Sequence, residues 1–222
     1  MDASCPTCSP IPNGPDVPRS LRDPSEREAR RVCLSLAHVA PLASYAGRLR
    51  ERGSVEVPEF DPLDGGTQAE ALFLFEKPGP MTAAEGRGSR VGSGFISRDN
   101  DDPTAEAIFR FMVQAGIPRR RTLIWNTIPW WNGTRKIERE ELQAGIRETF
   151  TLIGLLPRLK AIVLVGRRAE AVRPNLDASG LPVFVSAHPS PLVRASLPAV
   201  WDRIPEQWAQ VHPHLTHEQA FR

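Results

Sequence analysis

Cysteine is scarce in this sequence. The three cysteines, Cys5, Cys8 and Cys33, all fall within the first 33 residues. A Cys-x-x-Cys pair suggests metal or redox chemistry. A zinc or iron–sulfur site normally takes four ligands, however, and no later cysteine can complete one. No metal or cofactor is expected, and the thiols should be reduced. Long apolar runs are also missing, and nothing approaches the roughly 20 residues that span a bilayer. The opening Met1-Asp2-Ala3-Ser4 has no basic stretch leading into an apolar one, so no secretory signal is visible. A cytoplasmic location without a membrane partner is therefore expected. Neither Gly-x-Gly-x-x-Gly nor Gly-x-x-x-x-Gly-Lys-Ser/Thr occurs, which tells against dinucleotide binding and phosphoryl transfer. Net charge is only +2, so any nucleic-acid site has to come from local clusters. Candidates are Arg119-Arg120-Arg121, Arg135-Lys136, Arg167-Arg168, and Arg87 with Arg90. Each, taken singly, reads as solvated surface.

What remains is an ordinary globular composition, 41% hydrophobic and 24% charged over 222 residues, enough for one well-buried domain. Residues 1–24, rich in Pro, Ser, Asp and Arg, read as an extended or disordered tail. Residues 25–222 read as the domain. Ser25 is expected to cap a first helix reaching about Leu36, and a second runs from Pro41 towards Arg52. Asp61 and Asp64 sit in Asp-Pro and Asp-Gly pairs. They read as turn formers, with a polar lip beside a site as the alternative. Met81 to Asn100 has no periodicity, and a long loop of that kind inside a compact domain is usually functional. Strands are expected at 72–75, 121–125, 161–165 and 183–186, with helices from Pro103 towards Gly116, over 138–156, and over 197–211. Alternating strands and helices predict an α/β fold, a single-domain three-layer α/β/α sandwich around a central four-stranded parallel sheet.

Three of those strands run into rigid polar loops. Leu72-Phe73-Leu74-Phe75 ends in Glu76-Lys77-Pro78-Gly79-Pro80. Leu123-Ile124-Trp125 ends in Asn126-Thr127-Ile128-Pro129. Pro182-Val183-Phe184-Val185-Ser186 ends in Ala187-His188-Pro189-Ser190-Pro191-Leu192. In open α/β sheets ligands bind at the carboxyl ends of strands, and prolines flanking such loops stiffen the backbone as a preorganised site requires.

The order and spacing of these three segments resemble the uracil-DNA glycosylase superfamily, over roughly Glu70 to Gln210. His-Pro-Ser-Pro-Leu is the most specific of the three matches. The nearest likeness is to the iron–sulfur branch, of which this chain would be a divergent bacterial relative lacking the cluster cysteines. Where that branch has its third cysteine the chain reads Thr127-Ile128-Pro129-Trp130-Trp131.

The resemblance implies roles for particular residues. His188 would meet the charge developing on O2 of the departing uracil. Asn126 would read the base edge, since an amide offers one donor and one acceptor. Phe95, or Arg90 through its guanidinium plane, would stack on the flipped base, and Gly79 would lie against the substrate. Leu192 would fill the hole left in the duplex, with Ser190, Arg194, Gly166 and Arg167 near the DNA. Lys77 replaces the aspartate that orients water in the best-known branch. Glu76 is the preferred substitute, with Asp101, Asp102 and Asn132 as alternatives. Lys77 itself is expected to turn outward to a DNA phosphate, or else to attack the sugar as an amine. The expected activity is hydrolysis of deoxyuridine in DNA by a monomer. The products would be free uracil and an abasic site. The alternatives are a non-catalytic protein that holds uracil or abasic DNA, and a nucleotide-binding protein with no DNA partner.

Overall fold

The computed structural model describes residues 12–53, 55–79, 82 and 92–216. Its centre is a parallel sheet in the order β4-β2-β5-β6, formed by Ala71–Phe75 (β2), Thr122–Asn126 (β4), Ala161–Val165 (β5) and Val183–Ser186 (β6). β2, β4 and β5 are buried at every position, as expected of parallel strands covered on both faces. β2 and β5 are apolar throughout and β4 between Thr122 and Asn126, which is why their positions were readable within one residue. A further parallel pair, Glu59–Phe60 (β1) and Phe95–Ile96 (β3), lies apart from the main sheet. Its strands are too short to leave a periodic signal.

Helices cover both faces. Phe73 meets Trp208 edge-on, and Trp208 belongs to Ile204–Ala209 (α9), which packs with Pro103–Gln114 (α3). On the opposite face Trp125 stacks on Phe60 of β1 at 3.6 Å, and Phe60 adjoins Tyr45 of Ala40–Arg50 (α2). The Tyr45 hydroxyl donates to the carbonyl of Glu148 in Arg139–Gly154 (α4), closing that layer. The α/β/α sandwich is therefore as the sequence predicts.

Three expectations change. The 1–24 tail is folded at its C-terminal end: Leu21 is buried, its N–H donates to the Asp99 carbonyl, and Arg19 pairs with Glu106. Helix α1 (Pro24–Val32) is capped by Asp23, which accepts from the Ser25 N–H, rather than by Ser25. The single closing helix expected over 197–211 is instead two short ones, Pro198–Asp202 (α8) and α9, with Pro191–Ser196 (α7) ahead of them. Each has proline in its first turn, where the missing N–H costs nothing but continuation of a preceding helix is blocked.

Asp61 does form a turn, accepting from the Leu63 N–H, but Asp61 and Asp64 also enter a buried ionic cluster. Arg30 bonds Asp61 and Asp99 at 2.8 and 2.7 Å, and Arg119 bonds Asp61, Asp99 and Asp64 at 2.5, 2.7 and 3.0 Å. Arg98 joins through Asp64 and the Thr122 hydroxyl. Burial works against each guanidinium, but the aspartates outweigh it at Arg30 and Arg119, whose pKa values are raised. Arg119 is thus a half-buried pin, not a solvated surface charge.

Candidate active site

Register places the functional strand ends side by side. Phe75 pairs with Asn126 across β2 and β4, and Val165 pairs with Ser186 across β5 and β6. The backbone beyond continues the ladder: Thr127 N–H donates to Phe75 O, Ile128 N–H to Glu76 O, and Gly166 N–H to Ser186 O. The loops after β2, β4 and β6 meet around a cavity of about 290 Å³, lined by Phe75, Glu76, Lys77, Gly79, Asn126 and His188 among others. That is the small end of the range for ligand sites, about 300–1,000 Å³, and suits a single base.

Asn126 is 5% exposed. Its amide makes no hydrogen bond among the described residues, so both its donor and its acceptor are available to a ligand. His188 sits edge-on to Phe75 at 5.7 Å. Burial pushes its pKa below the ordinary 6.5; Glu76 opposes that shift and Arg135 adds to it. The imidazole is therefore neutral at pH 7 and carries one N–H to donate. Gly166 fixes its place: with φ +90° it adopts a backbone that side chains disfavour, and a Cβ there would lie 3.0 Å from the His188 Cβ.

Lys77 does not turn outward. Its side chain is 2% exposed and ion-paired to Glu141 at 2.7 Å. Its ammonium also donates to Asn132 Oδ1 at 2.8 Å and lies 6.0 Å from the Trp131 ring centre. Glu141 Oε1 additionally accepts from Trp130 Nε1 and Asn132 Nδ2. The expected phosphate contact is corrected accordingly, because the ammonium's donors are committed inside the protein. After Asn126 the chain supplies an indole bonded to a carboxylate and no thiol, so these residues do not fit a cluster. Cys5 and Cys8 lie outside the described residues, as does Arg90.

Phe95 is also corrected. It is 1% exposed, its carbonyl is held by Ser93 and Asn100, and it does not line this cavity. Among the described residues the phenylalanine that does is Phe75. Strand alternation held the signal for it, since Phe75 shares its sheet face with its register partner Asn126. Thr82, Ser97, Asn100 and Thr104 also line the cavity without having been singled out, and so does Arg135, expected only as part of a basic cluster. Thr104 lies in the first turn of α3, and the others come from polar segments whose folding no periodicity reveals.

Among the water-orienting candidates, Asp102 caps α3 through the N–H groups of Thr104 and Ala105. Asp101 pairs with Arg19, and Asn132 is bound to Lys77. Glu76 lines the cavity and pairs with Arg168, which follows Gly166 in Arg167–Glu170 (α5).

Beyond the cavity, Ser190 caps α7 by accepting from Val193 N–H, and Leu192 on that helix is 76% exposed. It is not a core leucine. Arg194 is exposed, with its guanidinium 5.8 Å from the Trp201 ring centre, and Arg167 is exposed too.

No curated protein matches this chain. Among solved structures 57 chains match. One is a solution NMR structure of a candidate uracil DNA glycosylase from Methanosarcina acetivorans, 17% identical with a TM-score of 0.44, over 66% of this chain and 92% of that one. The profile of the uracil DNA glycosylase superfamily matches residues 64–209. That span holds all three strand-end motifs, and the chain belongs to this superfamily.

Proposed function

We propose that this protein is a monofunctional glycosylase that hydrolyses deoxyuridine in DNA. The observation that carries the reading is the convergence of Asn126, His188, Phe75 and Glu76 on one base-sized cavity. The duplex cannot deliver uracil to such a cavity without extruding it, and the exposed Leu192 is the side chain to occupy the vacated space. Asn126 donates to O4 and accepts from N3–H. Cytosine presents the opposite polarity at that edge, so a fixed amide discriminates against it. Phe75 supplies the apolar wall. As the C1′–N1 bond breaks, its electron pair passes into the uracil ring and onto O2, where the His188 N–H meets it. Water adds to C1′ and gives up a proton, and uracil departs protonated. Glu76 is the carboxylate placed to orient that water. The Lys77 charge, which would oppose a sugar cation, is balanced locally by Glu141.

The test is alkali-developed strand cleavage of a single-uracil duplex by wild type and His188→Ala. Removing one such donor costs about 10²- to 10³-fold in rate, so a mutant within about threefold of wild type would exclude this role for His188. One observation favours a second reading: in the free protein Glu76 is occupied by Arg168. Tight binding of uracil or abasic duplex with no base release would identify a non-catalytic damage-binding protein.

A further inference from the structure

We propose that Arg168 is a phosphate-operated latch: it holds Glu76 until a DNA backbone phosphate takes its guanidinium. The inference rests on the glycosylase reading and adds a regulatory step to it. Among the described residues Glu76 is the cavity-lining carboxylate not used to cap a helix, but Arg168 Nη1 donates to it and also to the Arg135 carbonyl at 3.2 Å. One guanidinium therefore ties together the loops after β2, β4 and β5.

The tie is built to be exchanged. The Arg168 side chain is 62% exposed and that of Glu76 27%. An exposed pair in water is weak, whereas a phosphodiester accepts a guanidinium through two parallel hydrogen bonds. Arg135, Arg167 and Arg168 are all exposed on this side of the cavity, a local group of guanidinium cations for a phosphate to meet. Gly166, which begins this turn, touches His188, whose loop leads to Leu192. A strand seated with Leu192 in the duplex thus brings its phosphates to α5. Losing its partner then leaves Glu76 free to accept the proton of the water that attacks C1′.

The test compares Arg168→Gln and Arg168→Lys with wild type on two substrates: a single-uracil duplex, and a deoxyuridine dinucleotide too short to supply the flanking phosphates. Because Arg168 is largely exposed, neither change should unfold the protein. Expected for Arg168→Gln is single-turnover release from the dinucleotide roughly fivefold faster than wild type, the upper range for an exposed pair. On the duplex KM should rise, kcat should hold, and the slope of log affinity against log salt should shrink by about 1. Adding Glu76→Gln should abolish the gain on the dinucleotide, and Arg168→Lys should restore the duplex KM towards wild type. Equal loss of kcat on both substrates would overturn the latch, showing that Arg168 positions Glu76 instead. An unchanged salt slope would overturn it as well. If wild type releases no base, the glycosylase reading fails, and the salt slope on an abasic duplex still decides whether Arg168 meets a phosphate.

Discussion

Gly166→Ala tests whether the site depends on where His188 is held. Gly166 has φ +90° and ψ 153°, a region open almost only to glycine, where any other residue costs about 1–3 kcal/mol. In a protein of this size each kcal/mol moves Tm by roughly 2–4 °C, so Tm should fall by roughly 2–12 °C and the protein should remain folded at 25 °C. The new methyl group meets His188 at 3.0 Å from Cβ and 3.4 Å from Cδ2, so the imidazole must give way by a few tenths of an ångström. A misplacement of about 1 Å costs about 100-fold in rate; this smaller one should cost about tenfold in kcat with KM little changed. Gly180→Ala is the control, since Gly180 has φ +69° with nothing within 4 Å of its added Cβ. It should lower Tm without touching kcat. Single-turnover base release and thermal melts on the two variants decide the matter. If Gly166→Ala melts lower yet keeps wild-type kcat, the geometry of His188 does not limit the chemistry and its assignment as the leaving-group donor is wrong.

Arg119→Met removes the one cation common to Asp61, Asp64 and Asp99 and should cost about 3–5 kcal/mol, a Tm loss of roughly 6–20 °C; a change under about 2 °C would refute any structural role for Arg119 in the cluster. Leu192→Ala should leave Tm unchanged, because the side chain is exposed. Its activity should drop on duplex more than on single-stranded DNA, which has no hole to fill; equal losses on both would remove the wedge. Burial depresses the pKa of His188 and of His38 below the ordinary 6.5. Between the depressed values and 6.5 the unfolded chain binds more protons than the folded one, so stability is complete above pH 6.5 and falls as acid is added through that window. Urea midpoints followed down to about pH 5 should show this loss, and His188→Gln should show less of it.

The sheet was legible because its inner strands are apolar at every position and end at Gly, Pro or charge; Ala161–Val165 and Val183–Ser186 fall where the sequence places them. The strand-end residues Glu76, Asn126 and His188 were legible for the same reason, since a parallel sheet in register brings its carboxyl ends together. Pairing over long sequence distance was not. Nothing local tells that Arg30 and Arg119 share Asp61 and Asp99, or that Lys77 meets Glu141. Phe95 was misplaced because a phenylalanine in a Gly-Ser-Gly segment looks loop-borne, whereas its neighbours carry it into a two-residue strand. The broken closing helix was readable in principle from Pro198 and Pro205, each at the start of a new turn.

The ionic cluster also bears on where this protein can be cut. The superfamily profile begins at residue 64, but Arg30 and Asp61 precede that boundary, and so do Phe60, which stacks on Trp125, and the buried Leu42, Tyr45 and Leu49. A fragment covering only 64–209 would expose one face of the sheet to water and leave Asp99 and Arg119 with an incomplete set of counter-charges. The region that kinship identifies is therefore smaller than the unit able to fold. The described residues ahead of position 64 act as an intramolecular subunit, covering that face of the sheet and completing the set of charges within it.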